Sequence, residues 1–568
     1  MTDNNNIVYL AKSNFRGEEE VFGIYSNNED RFQHMYVIGQ SGTGKSTLLK
    51  NIAKQDILAG RGIALVDPHG EFAEELIESI PPERINDVVY FNPIDTDYPI
   101  GFNPIEVTDP EQKHLVASGL MAIFTKIWAN VWSARMEYIL MNCILALIDT
   151  PNQTLLGIPR ILVDKDYRKM IVNNCKDPVV KGFWINEFEK YQDKQRTEAI
   201  APIQNKVGQF LSTHIIRNIV GQPTSSMNIA DLMNQGKILI ANVSKGQIGE
   251  DNSGLIGAML ITKIQLAAME RVKIKDQSAR RPFLLYVDEF QNFATDSFAS
   301  ILSEARKYKL GLVVAHQYIG QLVTDTSTKV RDAIFGNVGT IICFRVGAPD
   351  AEFLEKQFAP DLTMEDMANL PNRQIFLRLM MNGVATRPFS ASTLAPIPNA
   401  EDPQTAEKVI HSSRTQYGRS REEVEKMILE WSQPIVVEST KGQYPSSGDS
   451  YQQPVKKPYN PNYSNNTGSQ SNYNRPRNPY PPRDYNRSNS SELPLSDLEI
   501  EPIIQFKTIN STPKSSNGHE DKNSLSHSTR RNKPEVDRDD LRATLAKFIS
   551  NPQNDYALAE MNDETEEA

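Results

Sequence analysis

Nine residues near the start of the chain, Gly39-Gln40-Ser41-Gly42-Thr43-Gly44-Lys45-Ser46-Thr47, have the types and spacing to hold a phosphate chain. Glycines let backbone N–H groups turn inward around phosphate oxygens, and a helix starting at the lysine adds its positive end. Lys45 is placed to reach the outer phosphates, and Ser46 to offer a hydroxyl to Mg2+. A second motif complements the first. Residues 283–287 are an apolar run bounded by Arg280-Arg281-Pro282 and ending in Asp288-Glu289. Two carboxylates at the end of a core strand are costly unless a metal or a water uses them. Asp288 would support Mg2+ through its water shell, and Glu289 would polarise an attacking water as general base. A chance glycine-rich turn or an exposed acidic turn explains either motif alone. The pair predicts a site that binds ATP with Mg2+ and hydrolyses it.

Such a site also needs a group that senses the γ-phosphate and a cation for the charge that develops on it. Gln317 follows the apolar run 310–315 and His316, so its amide would stand at a strand end near the acid pair. For the cation, Arg306 in Ser303-Glu304-Ala305-Arg306-Lys307-Tyr308 is the first candidate, acting in trans from a neighbouring subunit, and Arg345 is the second. A surface salt bridge is the plain alternative for either arginine.

The elements that must position these residues alternate. Residues 35–38 read as a strand into the phosphate loop, and 48–53 as the helix leaving it. Strands are expected at 62–66 and 87–91, with a helix from 71 to 79 between them. This rhythm predicts an α/β core, a parallel sheet covered by helices, whose first part spans 35–105. Residues 106–232 break it: five stretches carry helical spacing and no strand intervenes, which predicts an all-helical insertion. Trp128, Trp132 and Trp184 fall there and read as core. The core resumes over 233–400, with strands at 237–243, 283–287, 310–315 and 339–346 and a closing hairpin turned by Asn382-Gly383. Residues 1–34 are a short segment without room for a domain, and 401–433 an exposed helical appendage ending near Trp431.

From 434 to 568 the composition turns to Asn, Pro, Ser, Tyr and Gln, with few aliphatics. Such a tail cannot bury enough apolar surface to offset chain entropy and is expected to be disordered. Tyrosines and basic residues between 444 and 487 suit either a solvated tether or stacking on single-stranded nucleic acid. A short helix over 540–549 would offer one apolar face to a partner.

Composition bounds the partners and the compartment. The chain has 568 residues and a formal net charge of −10, so no global basic field draws it to nucleic acid, and contact with DNA must be local. Cys143, Cys175 and Cys343 are scattered without C-x-x-C spacing, which points to a reduced, cytoplasmic setting without a zinc or disulfide framework. The first six residues carry no basic region followed by an apolar stretch, so no leader is expected. The longest apolar run, 138–148, is shorter than the roughly 20 residues a bilayer requires.

Taken in order, residues 39–47, Asp67-Pro68-His69-Gly70, Tyr286-Val287-Asp288-Glu289-Phe290, 303–308 and Ala315-His316-Gln317 resemble the HerA/FtsK superfamily of motor ATPases, and within it the TraG/TraD-like coupling proteins of conjugation and type IV secretion. The resemblance covers residues 30–432. It implies a RecA-like P-loop NTPase core and a ring of six subunits. It also implies ATP-driven passage of DNA through the central channel, and the leading reading takes that DNA as single-stranded. On the same basis Lys45, Ser46, Asp288, Glu289 and Gln317 line the nucleotide, and Arg306 aligns with the arginine supplied in trans. The chain departs from its likeness in having no N-terminal transmembrane helices, so recruitment to the inner face of the membrane would fall to a channel or secretion-apparatus partner. Cargo or a relaxosome-like protein would be met through the helical insertion or the tail. Two other readings stand beside the DNA motor: an assembly ATPase of the same machines that threads no DNA, and a nucleotide-gated cargo adaptor.

Overall fold

The computed structural model describes residues 7–13, 20–25, 29–296, 298–324 and 327–434. The tail expectations, disorder and the helix at 540–549 included, lie outside the described residues. The chain opens with β1 (Ile7–Ser13) and β2 (Val21–Tyr25), then β3 (Met35–Ile38), helix α1 (Lys45–Leu58), β4 (Gly62–Asp67), α2 (Glu71–Ile77) and β5 (Val88–Phe91). Eight helices follow with no strand between them: α3 (Lys113–Ile127), α4 (Ala134–Ile148), α5 (Gly157–Val163), α6 (Lys165–Asn174), α7 (Pro178–Gly182), α8 (Asp193–Ser212), α9 (His214–Val220) and α10 (Ile229–Gln235). Strand β6 (Ile238–Asn242), helices α11 (Lys245–Ile248) and α12 (Glu250–Glu270), and β7 (Phe283–Val287) restore the alternation. After them come α13 (Phe298–Glu304), β8 (Leu310–His316), α14 (Lys329–Asn337), β9 (Thr340–Cys343), α15 (Ala348–Phe358) and α16 (Met364–Ala368). Strand β10 (Gln374–Arg378), the short β11 (Met380–Met381) and β12 (Val384–Ala385), β13 (Phe389–Thr393), α17 (Thr405–Tyr417) and α18 (Arg421–Ser432) close the described chain.

Eleven of these strands form one sheet in the order β2-β1-β13-β10-β9-β3-β8-β7-β4-β6-β5. From β9 to β5 every pairing is parallel. The apolar runs read from sequence as buried strands are buried on both faces, as parallel strands between helical layers must be. Alternate side chains feed two cores: Met35 and Val37 point to the layer with α1 and α2, and Tyr36 and Ile38 to the layer with α12 and the helical block. Within that block Trp128 stacks on Phe124 at 4.6 Å and Trp128 and Trp184 are buried, as expected, whereas Trp132 packs against the same core only half-buried.

The expected closing hairpin forms. Asn382 (φ 52) and Gly383 (φ 76) both take the left-handed conformation its turn demands, and β10 pairs antiparallel with β13. Two segments read only coarsely from sequence are tied into the fold. The opening segment is part of the sheet, because β1 pairs with β13 and β2 with β1. Its short strands show only a brief alternation of buried and half-buried residues, too little signal to read from sequence. The helices after 401 are not a free appendage: α17 and α18, broken at Gly418, run as a strap over both layers. Ser413 Oγ accepts from Tyr90 N at 2.9 Å, Arg414 grips Asp95 at 2.6 Å, and Arg160 donates to the Trp431 carbonyl at 2.5 Å while facing the Trp431 ring at 5.1 Å. The outer faces of the strap are exposed, which is why its charge pattern reads as solvent-facing.

Candidate nucleotide site

All the parallel strands point their carboxyl ends to one edge of the sheet, where ligands of open α/β folds are held. Strand β3 runs into the phosphate loop, β7 into Asp288-Glu289, β8 into Gln317, and β4 ends in Asp67. These residues line one cleft of about 420 Å3, together with Ser41, Gly42, Gly44, Ser46, Thr47 and His69. The structure therefore brings Lys45, Ser46, Asp288, Glu289 and Gln317 together, as the sequence predicts.

Local geometry follows from residue type. Gly42 (φ 77) and Gly44 (φ 117) take positive φ values that L side chains rarely adopt. Gly39 lies against Phe344, where a Cβ would overlap the ring's own Cβ. Helix α1 begins without a side-chain cap, so its first N–H groups stay free for an anion. The Lys45 ammonium donates to the carbonyls of Gly39 at 2.6 Å and Gln40 at 3.1 Å. It is buried, and burial lowers its pKa, opposed by the charges of Glu289 and Asp288. Thr43 Oγ1 donates to the Gln40 carbonyl at 2.7 Å and steadies the turn.

The acid side of the cleft holds Asp67, Asp288 and Glu289. Burial, then the neighbouring charges of Glu289 and Asp67, push the Asp288 carboxyl up to about 6. Asp67 is spoken for: it accepts from the backbone N–H of His69, Phe72 and Ala73 and starts α2. In Asp288, Oδ1 accepts from Glu289 N at 3.0 Å, which leaves its other oxygen toward the cleft. The carboxylates of the cleft outnumber the ammonium groups of Lys45 and Lys50, and a hard, oxygen-seeking cation such as Mg2+ would suit that donor set. Ser46 and Asp288 fit as its protein ligands. Among the described residues no cluster of three or more His, Cys, Asp or Glu is arranged for a metal.

Glu289 takes a left-handed backbone conformation (φ 43, ψ 52), unusual for a side chain of its size. Gln317 Nε2 donates to its Oε1 at 3.0 Å, and Gln291 Nε2 to its Oε2 at 2.7 Å. The Gln291 contact has no signal in the sequence, because it arises only when the chain curls back after Glu289. Beneath Gln317, His316 is buried and neutral: its Nδ1 faces the Tyr318 carbonyl at 3.0 Å and its Nε2 the Tyr36 hydroxyl at 2.7 Å. That bond ties the strand that ends at Gln317 to the strand of the phosphate loop. Loss of solvent holds His316 down at about 4.

The two candidate arginines part ways. Arg306 sits before β8, on the opposite edge of the sheet from Gln317, and the seven residues of that strand span roughly 20 Å. Its side chain is 52% exposed and lies 3.6 Å from Glu29. It is out of reach of its own nucleotide. Arg345 stands instead at its own phosphate loop, donating to Gln40 Oε1 at 3.3 Å, which fits poorly with service to a neighbour. Sequence reasoning missed Arg373, exposed beside that loop, with its backbone N–H bonded to the Thr43 carbonyl at 3.0 Å.

The strand order β9-β3-β8-β7-β4, with the phosphate loop, acid pair and glutamine at the ends of its three middle strands, defines a RecA-like P-loop nucleoside-triphosphate hydrolase. A family model described as the type IV secretion-system coupling protein DNA-binding domain matches residues 21–367, more than half of the 568-residue chain. The chain belongs to that family. Among solved structures it is similar to the bacterial conjugative coupling protein TrwBdeltaN70 in an unbound form, with 14% identity, TM-score 0.48, and 69% of this chain and 89% of that one covered. It is similar to the plasmid coupling protein TrwB in complex with ADP and Mg2+, with 14% identity, TM-score 0.48 and coverage of 67% and 89%. It is also similar to VirB4 of Thermoanaerobacter pseudethanolicus, with 13% identity, TM-score 0.45 and coverage of 70% and 97%. No curated protein matches it in sequence.

Proposed function

We propose that the chain is an ATP-hydrolysing motor of the coupling type that moves DNA, assembled as a homohexamer. The family match supports the class and its link to DNA. The observation that carries the motor reading is the division of the catalytic set between two edges of the sheet. Lys45, Ser46, Asp288, Glu289 and Gln317 meet in one cleft, while Arg306 stands on the far edge. Acting on a nucleotide from that edge, Arg306 would serve only a neighbouring subunit's, which calls for a ring or filament of repeated contacts.

In this reading Lys45 and the N-terminus of α1 bind the phosphates, and Ser46 and Asp288 hold Mg2+, which offsets charge on the phosphate oxygens. Glu289 accepts a proton from the attacking water, and Gln317 orients both. In this reading the motor meets a membrane channel or secretion apparatus through partners; among the described residues no helix is long and apolar enough to cross a membrane. Whether the DNA is single-stranded is decided by the test. The purified chain should hydrolyse ATP faster with DNA than without it, against K45A as the blank, at low salt where phosphate contacts are strongest. Comparing single- and double-stranded DNA shows which form is engaged. Hydrolysis indifferent to both would reject the DNA motor and favour the assembly ATPase or the cargo adaptor.

A further inference from the structure

The turn after Glu289 is held from outside the ATPase sheet. Lys126, in the last turn of α3, donates from Nζ to the Gln291 carbonyl at 2.7 Å. Gln291 in turn donates to Glu289 Oε2, and Asn292 Nδ2 donates to the Glu289 carbonyl at 2.9 Å. Lys126 has no ion pair among the described residues, and burial lowers its pKa to about 8. An ammonium kept half-buried for one carbonyl is an expensive way to fasten a loop that ordinary packing would fix. The junction itself is close. A Cβ at Gly257 of α12 would overlap the Phe293 ring, and one at Gly254 would lie 3.4 Å from Ile127 and 3.7 Å from the Asn292 carbonyl. Clefts of about 480 and 240 Å3 flank Lys126 and Gln291 on either side, so the end of α3 has room to shift.

We propose that Lys126 and Gln291 are positioning residues through which the helical block holds Glu289 in a restrained state. The proposal rests on the reading of Glu289 as general base. With Gln317 on one carboxylate oxygen and Gln291 on the other, the carboxylate plane is fixed and cannot turn toward an attacking water. A displacement of α3 by a few ångströms breaks the Lys126 bond, loosens the 290–292 turn and frees Oε2. The left-handed backbone at Glu289 favours that release, because a strained conformation persists only while its surroundings insist on it. Engagement of cargo by the helical block would thereby reach the hydrolytic centre without touching the nucleotide.

The test compares full-length wild type, K126M, Q291L, the double variant and E289Q. Without DNA, K126M and Q291L should each raise kcat about fivefold, the scale of one ordinary hydrogen bond. KM for ATP should stay within twofold, and the stimulation by single-stranded DNA should shrink. The double variant should match the singles, since the two residues act in series. Independently of turnover, hydrogen exchange across residues 289–293 should quicken in K126M while β7 stays protected. Unstimulated rates unchanged or lowered in both single variants, additive effects in the double, or unaltered exchange would each overturn the proposal. If E289Q hydrolyses ATP as fast as wild type, the general-base reading fails and takes the restraint with it. An inert E289Q beside an unstimulated K126M removes the restraint alone.

Discussion

At the scale of single residues, the proposed function separates binding from chemistry: Lys45 and the uncapped start of α1 would act on the phosphates, and Glu289 on the water. E289Q should therefore lower kcat by about 10²- to 10⁴-fold, the usual worth of a positioned acid or base, and leave ATP binding within a few-fold. Nucleotide titration beside steady-state kinetics separates the two, and a loss of binding would show that Glu289 shapes the pocket instead. His316 makes a pH prediction. Its folded pKa, about 4, lies below the ordinary value, so the unfolded chain takes up a proton first as pH falls. Its contribution is whole above about pH 6.5 and is lost between there and pH 4, by about 3 kcal/mol at the lower end. His34, also buried at about 4 between Leu302 and Leu312, adds to the same loss. Acid unfolding of H316Q should be displaced to lower pH relative to its own neutral stability, and an unchanged profile would mean that carboxylates dominate.

At the scale of elements, one short turn before β3 fastens three parts of the fold. Glu29 pairs with Arg306 and Lys309, Asp30 accepts from the backbone of Asn382 and Gly383 at the hairpin tip, and Arg31 reaches Asp56 of α1 at 2.6 Å. Asp56 also binds Arg61 at 2.9 Å and the Tyr286 hydroxyl, so the helix of the phosphate loop is locked to the strand of the acid pair. D56N would leave buried arginines short of their counter-charge and should cost on the order of 3–5 kcal/mol, read as a lower melting temperature. A shift smaller than a single surface pair gives would show that water screens the cluster. None of this turn was legible beforehand. Nothing local in the sequence marks Glu29, Asp30 and Arg31, because the burial of Asp30 and Arg31 and the pairing of Glu29 depend on partners far away in sequence. The long apolar strands and the phosphate loop were legible because their signal is local: a run, a spacing, a turn residue. Gln291, Arg373 and the Tyr36–His316 bond were not, since each is made by the meeting of distant segments.

At the scale of the molecule, Arg306 and Lys45 belong to opposite edges, and in the proposed ring they would serve different active sites. Mixing inactive R306A with inactive K45A subunits should restore part of the hydrolysis, because some interfaces pair an intact phosphate loop with an intact arginine. Hexamers that form from the mixture and stay silent would count against a trans arginine. Sequence order alone placed the helical block between two halves of the sheet, yet gave no sign of what spans them. The strap of α17 and α18 does, anchored at Tyr90 and Asp95 beside the sheet and at Arg160 in the block. Only Gly418, Arg419 and Ser420 join its two helices, a joint that reaches about 10 Å when fully drawn out. In the proposed motor such a strap would act as a tendon with little slack, setting a ceiling on how far the block could swing from the sheet.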